Sequence, residues 1–209
     1  MSPPPRALVA PAGILAMLLG AATALHAGTV ERLAPYEGPA SDAVKAVLEP
    51  EGYTVRRGDA TVACSIWFAK TIAGKEEGAF FGVVSFEDDG SDFRGQPVKA
   101  GHYTLRYARM PMDGNHMGAA PTSDFLLLIP VGEDPDPSRT PASDELAALS
   151  AKVSGVGHPS PLNLGRTGDQ EQFPAVSFND EGHEVFYVKV NGADGPIPIG
   201  IVVTGVAEQ

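Results

Sequence analysis

The sequence predicts an all-β protein: a single β-sandwich with one short helix at about residues 141–153, following an N-terminal signal peptide. Three observations carry this. Apolar side chains recur at period two in several short runs, and Gly, Pro, Asn and Asp punctuate the intervals between them. One segment alone combines helix-terminus chemistry with apolar residues three and four apart.

Residues 1–6 contain one basic side chain, Arg6, and no acid. An apolar run follows from Ala7 to Leu25, densest at 14–19, and small residues close it through Ala27. This is the three-part pattern of a secretory signal, assigned to 1–27, with cleavage after Ala24 or Ala27. Ala22-Thr23-Ala24 fits the small-x-small rule better, because the later site puts Leu25 at the minus-three position. Pro11, Gly13 and Gly20 dilute the run as a membrane span. The cleavage region holds no cysteine to take a lipid, and no twin arginine precedes the run, so general secretion to the periplasm or the cell exterior is expected.

Residues 28–50 read as an entry segment, with a short helix from Ser41 as N-cap to Leu48 and a stop at Pro50. The sandwich is assigned to 51–209. Strands are expected at 53–57, 61–68, 79–86, 102–108, 124–129, 184–190 and 197–206. In the second of these, Val62, Cys64, Ile66 and Phe68 form one apolar face. The run at 124–129 is continuously apolar from Phe125 on, as a strand covered on both faces should be. For the helix, Thr140 is the expected N-cap, Pro141 suits the first position and Asp144 and Glu145 lie in the first turn. Leu146, Leu149 and Val153 then share a face, and Gly155 ends it. The acidic, Pro-rich stretch at 132–137 reads as an exposed connector.

Charge narrows the partners. With 26 acidic and 15 basic side chains the chain carries −11, which repels nucleic acid and anionic membrane surfaces. No stable membrane span is expected once the leader is gone. Cys64 is the single cysteine, so no intramolecular disulfide forms; a buried, inert thiol is expected.

Several catalytic classes lack their signatures. There is no Gly-x-Ser-x-Gly elbow. His183-Glu184 is followed by Tyr187 where a zinc protease needs histidine. Gly155-Val156-Gly157 follows a helix rather than a strand, which excludes a dinucleotide fingerprint. Cys64 has no histidine after it until His102, against a blue-copper site. Asp88 and Asp92 do not meet the calcium-loop pattern.

The connection at 109–123 is longer than a usual hairpin loop and holds Met110, Met112 and Met117, three of the five methionines, with His116. Thioether and imidazole together suit copper, so Met110, Met112, His116 and Met117, helped by His158, form a candidate copper site. In the plainer reading the methionines plug an open end of the sandwich, Asp113-Gly114 makes a turn, and His116 ties the loop down. A third reading pairs His116 with Asp113 or Asp124 as acid–base groups of a hydrolase. Elsewhere, His102 shares a face with Thr104 and Arg106 that reads as solvated. His183 begins a strand, and His158 precedes Pro159 in extended backbone.

The run Gly95-Gln96-Pro97-Val98-Lys99-Ala100-Gly101-His102-Tyr103-Thr104-Leu105-Arg106-Tyr107, with 113–118 and 124–130, resembles exported bacterial β-sandwich proteins of Ig-like or transthyretin-like type, a group of unknown function. The resemblance covers about 50–165 and implies the fold and export, with no activity to transfer. The resulting expectation is a soluble, non-enzymatic module that binds a small ligand or a protein partner through its loop ends.

Overall fold

The computed structural model describes residues 27–92, 95–110 and 122–205. Residues 1–26 of the leader expected at 1–27, and Met112, Asp113, His116 and Met117 of the 109–123 loop, lie outside the described residues.

Twelve strands and two helices follow one another in the described chain: β1 (Thr29–Leu33), α1 (Asp42–Val47), β2 (Gly52–Arg56), β3 (Val62–Phe68), β4 (Phe80–Phe86), β5 (Gly90–Ser91), β6 (Pro97–Val98), β7 (Gly101–Arg109), β8 (Asp124–Pro130), α2 (Ser143–Ser154), β9 (Pro161–Gly165), β10 (Ala175–Phe178), β11 (Glu184–Gly192) and β12 (Gly195–Thr204). Ten strands form one antiparallel sheet in the order β1-β2-β3-β4-β7-β8-β9-β12-β11-β10, and β5 pairs with β6 in a small hairpin. The all-β expectation holds. The two facing layers, however, belong to one sheet wrapped over on itself, because β9 registers with β8 on one side and with β12 on the other. The edge strands β1 and β10 approach each other, so the wrap is nearly closed.

Period two decides the inside. Tyr53, Ile66, Val84 and Tyr103 stand in register across β2, β3, β4 and β7. The Tyr53 ring meets Phe186 of β11 across the interior with centroids 5.6 Å apart. Ile66, Leu105, Leu126, Leu128 and Phe186 are fully buried there, each contributing roughly 1.5–3 kcal/mol by leaving water.

The opposite face of the sheet is covered as well. Leu127, Ile129 and Ala108 pack under Leu146 of α2, which is why β8 is apolar on both sides. Trp67 stacks edge-on with Tyr36 at 5.1 Å and its indole nitrogen donates to Ala34 O at 2.9 Å. Ser41 caps α1 by accepting from Val44 N, and its hydroxyl donates to Pro135 O at 2.6 Å, tying the entry segment to the acidic stretch.

Three local expectations need correction. The face of His102, Thr104 and Arg106 is not solvated: Thr104 and Arg106 are 0% exposed, under the 132–139 stretch. That stretch is not a free connector, since Asp134 is 2% exposed and pairs with Arg106. Helix α2 begins at Ser143 with Ala142 as its cap, not at 141 after Thr140. Residues 139–141 are engaged elsewhere: Arg106 donates to Arg139 O, and a Cβ on Gly78 would sit 2.7 Å from Pro141 O. Gly155 does terminate α2 in the left-handed region, at φ 68°. Among the described residues no helix is long and apolar enough to cross a membrane.

Candidate functional site

Met110 and His158, the two described members of the sequence-predicted copper set, sit at opposite ends of β8. Met110 N bonds Ser123 O just before the strand begins. His158 lies beyond the other end, where Ser160 O accepts from Leu128 N. Five residues of extended chain separate those contacts, about 17 Å. The His158 Nδ1 lies 3.0 Å from Pro159 O and 3.4 Å from Gln96 Nε2. Among the described residues no group of three or more His, Cys, Asp or Glu is arranged to hold a metal.

Where β7 ends and β8 begins, the side chains form a closed polar cluster. The Tyr107 hydroxyl donates to Asp124 Oδ1 at 2.7 Å, and Lys75 Nζ lies 3.3 Å from Oδ2. Arg109 Nε stands 3.8 Å from the same carboxylate. Burial pushes Asp124 upward, but the Tyr107 hydroxyl, the Lys75 ammonium and the Arg109 guanidinium outweigh it and hold the carboxyl below its usual value. A carboxylate held ionised in this way is a poor acid–base partner near neutral pH. Thr122, at the far end of the loop, donates to Leu164 O and anchors this rim to β9.

The opposite end of the wrap holds a different arrangement. Strands β9 and β12 pair only through Gly165 with Gly200 and Leu164 with Ile201. Beyond those two positions, residues 161–163 and 202–205 line a cleft of about 160 Å³, together with Arg57, Ala63, Cys64, Phe86 and Asp92. Arg57 is held at its mouth, its Nε donating to Thr204 Oγ1 at 3.1 Å and Val203 O at 3.3 Å. Asp92 is buried in the turn between β5 and β6. Its two oxygens accept from Gln96 N and Gln96 Nε2 at 2.9 and 3.1 Å. Cys64 forms part of the wall, and burial pushes its thiol up to about 12, with Arg57 pulling weakly the other way. It is the inert thiol the sequence predicts, not a nucleophile.

Asn163 completes the cleft. It is 2% exposed, and among the described residues neither its amide oxygen nor its amide nitrogen has a hydrogen-bond partner. A buried amide left without partners costs on the order of 1–3 kcal/mol for each unmet group, so the position is expensive unless something fills it. The alternation of Leu162 and Leu164 about Asn163 marks a strand in the sequence, but nothing there distinguishes a buried amide from a solvated one.

The remaining histidines have structural surroundings. His102 meets the Tyr36 ring at 5.7 Å, and burial lowers its pKa. His183 Nδ1 lies 3.3 Å from Glu181 Oε2. Comparison with protein-family models, with curated proteins and with solved structures finds no match for this chain.

Proposed function

We propose that this is an exported, non-enzymatic binding module that takes a small polar ligand in the cleft between β9 and β12. The observation that carries the reading is Asn163: a buried amide, bordering a cleft, with its donor and its acceptor both unmatched among the described residues. The complement of such a group is another amide, a carboxamide or peptide unit, which returns one N–H and one C=O. Arg57 lines the same cleft and adds a polar group at its wall. Such sites concentrate a few placed polar groups within apolar walls, here Phe86, Leu162 and Ile201.

Two features weigh against an enzyme. Asp124 is held in its charged form by three neighbours, and the Cys64 thiol is kept protonated by burial. Neither is poised for proton transfer or attack at neutral pH. Export to the periplasm or beyond follows from the leader pattern at 1–27.

The test is a ligand-observed NMR screen of the exported protein against simple amides, dipeptides, amino acids and sugars, repeated with Asn163→Leu. Amide-bearing hits that vanish in the variant support the reading. Hits unaffected by the substitution, or confined to sugars, overturn the site or the ligand class respectively.

A further inference from the structure

Glu184 opens β11 and is 3% exposed, yet among the described residues its Oε1 has no hydrogen-bond partner. The other oxygen, Oε2, accepts from Thr204 Oγ1 at 3.1 Å. The neighbouring arginines are engaged elsewhere: Arg56 Nε faces Glu31 at 3.4 Å, and Arg57 Nε bonds Thr204 Oγ1 and Val203 O. Among the described residues Thr204 is thus its one side-chain donor and no cation pairs with it, although a buried carboxylate is ordinarily accompanied by positive charge.

Gly28 lies against it. A Cβ on Gly28 would stand 2.8 Å from Glu184 Oε1 and only 1.9 Å from Arg56 O, so no other residue fits there without displacing β2. Standard bond lengths then put the Gly28 nitrogen no more than about 5 Å from Oε1. In the uncut chain that nitrogen is a neutral amide, and it makes no bond to the carboxylate.

We infer that export cuts the chain between Ala27 and Gly28 and that the new N-terminal ammonium of Gly28 is the counter-ion of Glu184. This rests on the export reading given above. Water, used by a leader-removing peptidase, adds across the Ala27–Gly28 peptide bond. Ala27 leaves as a carboxylate on the leader, and Gly28 keeps the nitrogen as a protonated amine with three N–H donors. The structure thereby separates two cuts that the leader pattern leaves open. A cut after Ala24 would leave Leu25, His26 and Ala27 attached and no charge beside Glu184. Processing and folding are coupled in this account, because the cut supplies a partner to a group that folding buries.

The full chain should be expressed with export and the recovered protein examined by intact mass and N-terminal sequencing. A start at Gly28 is expected. A start at Leu25 overturns this inference and leaves export standing; a start at Met1 overturns both. The α-amine of the recovered protein should then be titrated alongside E184Q. In the wild type its pKa is expected above the ordinary value of about 8, by about one unit or more, and in E184Q near that ordinary value. An ordinary value in the wild type overturns the pairing whatever E184Q does, as does an equal value in both.

Discussion

Arg106 and Asp134 form a bidentate ion pair sealed beneath the 132–139 stretch, with Nε on Oδ2 and Nη2 on Oδ1, both at 2.8 Å. The other three guanidinium N–H groups reach Gly78 O, Asp136 O and Arg139 O, so all five donors are used. Thr104 Oγ1 donates to the same carboxylate at 2.6 Å, and the guanidinium lies 5.1 Å from the Phe80 ring centroid. The pair fastens an acidic, proline-rich segment onto the sheet.

Asp134→Ala is therefore expected to cost about 3–5 kcal/mol, because it leaves a buried guanidinium uncompensated. Urea denaturation followed by tryptophan fluorescence measures it. A loss under about 1 kcal/mol would mean that the carbonyls alone hold Arg106.

Asn163→Leu should do the opposite. Removing an amide with two unmet groups and filling the space with an apolar side chain is expected to raise stability by about 1–2 kcal/mol while abolishing ligand binding. A variant less stable than the wild type would show that Asn163 is already satisfied by an internal water.

How much of this could be read from the sequence depends on how local the cause is. The alternation of Cys64, Ile66 and Phe68, the doubly apolar β8 and the stop at Gly155 are all consequences of chain geometry within a few residues, and they are visible in the string. The face of His102, Thr104 and Arg106 is polar by the same pattern and reads as wet. It is dry because residues some 30 positions later lie across it, a relation no periodicity encodes. The same holds for the candidate site. Asn163 and Arg57 come together through the return of β12 to β9, and short strands such as β10 leave too few residues to establish a period. Of the rim predicted to carry chemistry, Met110 and Asp124 are placed at one end and His158 at the other.

Cys64 should be silent toward thiol reagents. With its thiol pushed to about 12, the reactive thiolate is a negligible fraction at pH 8. A disulfide reagent is expected to titrate one thiol in denaturant and none in the native protein. Rapid native labelling would show the cleft wall to be open.

His102 gives stability a pH dependence. Burial lowers its folded pKa below the ordinary 6.5, so the unfolded chain binds the proton more readily. Its contribution is complete above pH 6.5 and declines as pH falls through the lower folded value. His102→Phe is expected to flatten the stability profile in that window, measured by thermal midpoints across pH 7 to pH 4. An NMR titration of the His102 ring with a midpoint above 6.5 would reverse the sign and refute this.

Gly155→Ala tests the α2 terminus. No atom of the described residues lies within 4 Å of a Cβ there, so the expected loss of about 1 kcal/mol comes from the left-handed backbone. Differential scanning calorimetry should show a small fall in Tm. An unchanged Tm would mean the helix end rearranges without strain.

The side-chain amide resonance of Asn163, followed by ¹⁵N-edited NMR while acetamide is added to the purified protein, tests the central claim most directly. The account predicts a saturable shift of that resonance, larger than those of the other asparagine and glutamine amides. A resonance that stays fixed to high acetamide concentration, or that moves only in step with all the others, would contradict it.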